Sequence, residues 1–190
     1  MRIAAVLLWL YFNASMGAAE QRNEARVEIC MAAWVAGEAG WQAKHIASEI
    51  YRKIGVQLIW KSHQCGKEAI RVSVERHTPD KLPKGALAQS WPFQHQRRME
   101  VYWSRIKENY SPGMWKVMLG YTLAHEIGHI LMETDGHAWE GVMKGRWDDK
   151  DLVEMAHGDL GFTERDRQAI VRSVTCLSST SAPNRPCAPR

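Results

Sequence analysis

The sequence predicts an α+β domain. Three short stretches with strand character follow one another: VQLIW (56–60), AIRVSVER (69–76) and MEVYWSRI (99–106). A segment from Ser111 to about Met132 is then apolar on nearly every side, which marks a buried helix. A late amphipathic pattern, FTERDRQAIVRSV, adds a further helix. An earlier helical segment, then strands, a loop, a strand and the buried helix give the α+β arrangement.

The chain has 190 residues, enough for one domain with a sizeable core. It is 45% hydrophobic and 24% charged, which is a globular balance rather than a disordered one. The formal charge is +4, and Arg2 is the only charged residue before Glu20. No basic stripe and no RNA or DNA motif accompanies this mild excess, so no nucleic-acid partner is expected. Nine tryptophans are present, and most are expected to be buried or to line a cleft.

Taken in order, residues 1–19 read as a secretory signal peptide. Arg2 supplies the positive start, Ile3 to Phe12 an apolar run too short to span a bilayer, and Gly17-Ala18-Ala19 a small-residue cleavage site. A secreted or periplasmic location follows, with no stable membrane span once the signal is removed. Cys30, Cys65, Cys176 and Cys187 all lie beyond it, and an even count in an oxidising compartment favours disulfides. Of the three possible pairings, proximity favours Cys30 with Cys65 and Cys176 with Cys187. No CxxC pair occurs, which argues against a thiolate zinc site.

Glu24 to Ile54 is expected to be mainly helical: Ile46, Ile50 and Ile54 recur at helical spacing, and Gly55 closes the segment. VQLIW then reads as a strand, and Ile70, Val72 and Val74 alternate with polar neighbours as in a half-buried strand. HTPDKLPKGALAQSWPF, with three prolines and a glycine, reads as loop. Met99 to Ile106 is the third strand. Ser111-Pro112 is a helix start, an N-cap followed by proline at the first helical position. Thr163 with Asp166 resembles a capping box for the late helix. The domain is drawn over residues 20–175, and 176–190 is read as a flexible tail.

The chemistry is concentrated in AHEIGHILMETDGHAWEGVM (124–143), which holds three of the eight histidines. His125 and His129 are four apart, so a helix puts both on one face. Each can direct a ring nitrogen at one metal ion at about 2.0–2.1 Å, the distance zinc accepts. Glu126 lies beside such an ion rather than on it, placed to take a proton from a metal-acidified water. Burying these groups without partners is costly, and a metal removes that cost. HExxH on a helix is peptide-hydrolysing chemistry. A catalytic zinc needs a third protein ligand and one open position. His137 is the candidate, provided that Thr134-Asp135-Gly136 breaks the helix and lets the chain swing back.

His125-Glu126-Ile127-Gly128-His129, then Gly136-His137, then Gly141-Val142-Met143, resembles the zincin metalloproteases, and within them the metzincin branch. That branch carries HExxHxxGxxH followed by a methionine turn. The longer gap before the last histidine is similar to that of small exported bacterial zincin-like proteins. The similarity covers Tyr121 to Trp147. It implies a zincin-like fold, a small mixed sheet packed on a long buried active-site helix with C-terminal helices. It also implies Zn²⁺ held by His125, His129 and His137, Glu126 as general base, and Met143 packed beneath the histidines. Two departures matter. Met132 stands where the family has glycine, and Asp135 where it has its third ligand, so Asp135 competes with His137. Glu154 is a more distant alternative, by analogy with zincins that take a glutamate from a later helix.

The expected function is a secreted zinc metallopeptidase acting on peptide or protein substrates, as a monomer. The alternative is an exported zinc-binding protein without turnover on the same scaffold. A peptide is expected to lie along an edge strand, for which Met99 to Ile106 is the candidate. Arg146, Tyr121 and His157 are the groups available to stabilise an oxyanion.

Overall fold

The computed structural model describes residues 25–32, 37–94 and 97–179. The segment expected to be a signal peptide, Trp34, Cys187 and the end of the expected tail lie outside the described residues. The elements in order are β1 (Ala25–Met31), α1 (Gly37–Arg52), β2 (Val56–Lys61), β3 (Ile70–Glu75), β4 (Ala88–Ser90) and β5 (Arg98–Tyr102). Helices α2 (Trp103–Asn109), α3 (Trp115–Met132), α4 (Asp149–His157) and α5 (Glu164–Ser179) follow. This is an α+β domain with a five-stranded mixed sheet in the order β2-β1-β3-β5-β4. β1 pairs in parallel with β2 and β3, β3 in parallel with β5, and only β4 runs antiparallel, against β5.

Alternation sets the sheet's two faces. Val27, Ile29 and Met31 of β1, Val56 and Leu58 of β2, Ile70, Val72 and Val74 of β3, and Met99 and Val101 of β5 are buried towards the helices. Their neighbours Arg26, Gln57, Arg71, Ser73 and Arg98 are exposed. Period-two burial is what a strand with one covered face gives. The same rule corrects the expectation of a helix from Glu24. ARVEICM alternates apolar and polar residues and is a strand, and the described helix runs over Gly37–Arg52.

Two further differences concern β4 and β5. The proline-bearing loop contains β4, a strand of only three residues, too short to produce a visible alternation. β5 ends at Tyr102, and WSRI continues as helix α2 rather than as strand. β5 is also flanked by β3 and β4, so it has no free edge; the edge on this side of the sheet is β4.

Helix α3 forms the centre of the molecule, with every residue from Val117 to Leu131 buried. It starts after a 3-10 turn at Pro112–Met114, where Ser111 and Pro112 were expected to start it. Helix α1 crosses it closely: a Cβ on Gly120 would stand 2.7 Å from Cβ of Ile46, so only glycine permits this approach. The buried Tyr51 hydroxyl donates to the Ala124 carbonyl at 3.0 Å, fixing α1 to α3 one residue before His125. The core is built of Ile, Val, Leu, Met and Tyr rather than tryptophan. Of the described tryptophans, Trp60, Trp91, Trp103, Trp115 and Trp147 are half-buried, while Trp41 and Trp139 are exposed. The indole is large and amphipathic, so it packs at the borders of the core.

Cys30 and Cys65 form a disulfide, tying β1 to the β2–β3 connection. Cys176 is disulfide-bonded as well and lies within α5, which continues to Ser179, past the boundary at 175 expected for the domain. The expected start of α5 holds: the Asp166 amide donates to the Thr163 hydroxyl at 3.2 Å, and that hydroxyl donates to the Asp166 carboxylate at 2.7 Å.

Candidate metal centre

His125 and His129 face the same way from consecutive turns of α3, with ring centroids 4.6 Å apart. Two backbone carbonyls set their tautomers. Nδ1 of His125 lies 2.8 Å from the Val142 carbonyl oxygen, and Nδ1 of His129 lies 2.8 Å from that of Thr134. A carbonyl only accepts, so each Nδ1 carries the proton and donates. Each Nε2 is then an unprotonated lone pair, and these two nitrogens stand 3.0 Å apart. Two lone pairs facing at this distance repel unless a cation lies between them. Two imidazoles on one tetrahedral ion at about 2.1 Å would be spaced about 3.4 Å, close to what is seen. The donor set therefore fits a metal ion, and the carbonyls are the outer partners that orient such ligands.

Helix α3 ends at Met132. Glu133 then adopts the left-handed conformation at φ 49°, with its amide on the His129 carbonyl. The chain is thus reversed by Glu133, not by Gly136, because the turn must begin within one turn of His129 for its ring to reach the Thr134 carbonyl. His137 returns to the site, its ring centroid 5.3 Å from that of His125 and 4.9 Å from that of His129. One ligand nitrogen from each of the three histidines lies within 4.8 Å of the others, a group that could hold a metal ion. Asp135 is exposed and is not part of this group, nor is Glu154. His125 and His129 are buried while His137 is exposed, so the site has a closed floor and an open side.

The segment after His137 forms that floor. The Ala138 amide donates to the Met143 carbonyl at 2.8 Å, closing the loop. Met143 is 1% exposed, and a Cβ on Gly128 would stand 2.6 Å from its Sδ. The methionine thus seats against α3 at Gly128, the residue before His129. Lys144 bridges Asp148 and Asp151 at 2.6 Å each, fastening this loop to the start of α4. Gly145 lies against His137: a Cβ there would approach the imidazole Cγ to 2.9 Å.

Burial sets the electrostatics. It holds both helical histidines down to about 4, with mutual repulsion adding to the effect at His129, so both are neutral and ready to coordinate at neutral pH. Burial raises the Glu126 carboxyl, opposed by a hydrogen bond from Ser90 and by the nearby histidines. The Ser90 hydroxyl donates to Oε2 of Glu126 at 2.5 Å.

Ser90 and Trp147 are the residues here that sequence reasoning missed. Trp147 sets its ring edge-on to His125 at 5.5 Å. Neither has a short-range signal, since Ser90 lies in the loop-like segment and reaches Glu126 only through the pairing of β4 with β5. Of the groups considered for an oxyanion, Tyr121 is buried with its hydroxyl on the Leu160 carbonyl at 3.2 Å, while Arg146 and His157 are exposed. Compared with protein-family models and with curated proteins, the chain matches none.

Proposed function

We propose that the chain is an exported zinc metallopeptidase of the zincin type, its metal held by His125, His129 and His137. One observation carries this reading: three imidazoles, two from the helix that bears the buried carboxylate Glu126 and one from the loop after it, converge beside that carboxylate. The Cys30–Cys65 disulfide agrees with an oxidising compartment. Among the described residues no helix is long and apolar enough to cross a membrane.

When bound, the metal would supply Lewis acidity to the scissile carbonyl and lower the pKa of the attacking water. The chain's own residues do the rest. The Val142 and Thr134 carbonyls keep the two helical imidazoles in the coordinating tautomer. Glu126 accepts the proton of the attacking water and delivers it to the leaving amine. β4 is the sheet edge nearest this carboxylate, so an extended peptide added to that edge would bring its backbone to Glu126.

The test is elemental analysis of the purified mature chain, wild type beside His137→Ala and Asp135→Ala, together with hydrolysis of an unfolded protein by wild type and Glu126→Gln. About one zinc per chain, weakened in His137→Ala but not in Asp135→Ala, with activity lost in a zinc-loaded Glu126→Gln, is expected. No zinc after resupply of the metal sinks the proposal. Zinc without any Glu126-dependent hydrolysis favours a binding protein instead.

A further inference from the structure

We infer that Ser90, the last residue of edge strand β4, is the positioning residue for Glu126, an inference that rests on the peptidase reading above. Glu126 is fixed at its Cα by the central helix, but its side chain has three rotatable bonds. A base that must take a proton from one place needs its carboxylate held in one orientation. Ser90 provides this second anchor through its 2.5 Å hydrogen bond to Oε2. An ionised carboxylate only accepts, so the serine hydroxyl donates. With Oε2 engaged, Oε1 is the oxygen left for the proton of the attacking water.

The anchor itself is rigid. Ser90 pairs with Met99 in the β4–β5 ladder, with Gln89 opposite Glu100 and Ala88 opposite Val101. The ladder extends on both sides, from the Tyr102 amide to the Leu87 carbonyl at 2.8 Å and from the Trp91 amide to the Arg98 carbonyl at 3.2 Å. Alternation along β4 leaves Gln89 exposed and turns Ser90 towards α3. Glu126 is only 8% exposed, so bulk water competes poorly for its oxygens. The same short strand thus carries the edge on which an extended peptide would pair and the hydroxyl that orients the base.

The test compares Ser90→Ala, Ser90→Cys and Ser90→Thr in zinc-loaded protein. Threonine keeps the hydroxyl, whereas cysteine keeps the shape but is a weak donor. The first readout is hydrolysis of a fluorogenic peptide. Ser90→Ala and Ser90→Cys should lower kcat by roughly 10- to 100-fold with KM within about twofold. Ser90→Thr should recover most of the rate. The second readout is the crystal structure of each variant without metal. Glu126 should keep its single orientation in wild type and Ser90→Thr, and leave it or split in the other two.

Unchanged kcat with Glu126 unmoved in Ser90→Cys overturns the inference, as does an equal rise in KM in all three variants. If Ser90→Ala does not fold, the cysteine and threonine pair decides. If wild-type hydrolysis survives Glu126→Gln, the peptidase reading fails; the orientation of Glu126 in the crystals still judges Ser90.

Discussion

Gly145→Ala should weaken the metal site without unfolding the protein. The added Cβ would stand 2.9 Å from Cγ of His137, and 3.2 Å from both its Cβ and Cδ2. Non-bonded carbons settle at about 3.5 Å or more, so the imidazole must retreat by about 0.6 Å. A metal ligand tolerates about 0.2 Å. His137 is exposed, so the ring can move away at little cost to the fold, but not without leaving the position set by His125 and His129. The expected result is a loss of zinc affinity of roughly 10- to 100-fold, measured by competition with a chromophoric chelator. Thermal unfolding of the metal-free variant should match wild type, within about 1 kcal/mol. Gly113→Ala, where a Cβ meets nothing, is the control. Wild-type affinity in Gly145→Ala, beside a large loss in His137→Ala, would show that the loop yields and that the packing argument is wrong.

Three further outcomes can be checked by unfolding experiments. In metal-free protein the folded His125 value is about 4 against 6.5; the unfolded chain therefore binds the proton first, and stability is lost as pH falls from 6.5 to about 4. The loss is on the order of 3 kcal/mol for this residue; urea titrations across that window should show it, and a flat profile refutes it. Replacing Cys30 and Cys65 together by serine frees a link across a sequence separation of 35 and should cost about 3–4 kcal/mol of stability in chemical denaturation. Thr163→Ala removes the hydroxyl that receives the Asp166 amide and should cost about 1 kcal/mol, seen as a lower melting temperature; no change would mean that α5 does not depend on this cap.

Elements whose signal is local were legible from the residues alone. The buried helix was legible because the segment is apolar on nearly every side, β3 because its alternation spans six residues, and β2 because VQLIW is a short apolar run closed off by Gly55. The pairing of His125 with His129 follows from helical periodicity alone, and Glu126 from adjacency. The return of His137 was readable as a candidate, from the ligand count and a helix break, with Asp135 left as its competitor. Its placement depends on a left-handed Glu133 and on the Thr134 carbonyl meeting the His129 ring. β1 was hidden because a seven-residue alternation sits next to a longer helical pattern, and β4 because three residues carry no period. The roles of Ser90, Gly145 and the Val142 carbonyl arose only in the folded chain. Ser90 and the Val142 carbonyl act on residues 36 and 17 positions away, and Gly145 on His137 across a closed loop; the strand pairings and loop closures that bring them together are set by burial of the whole core rather than by any local preference.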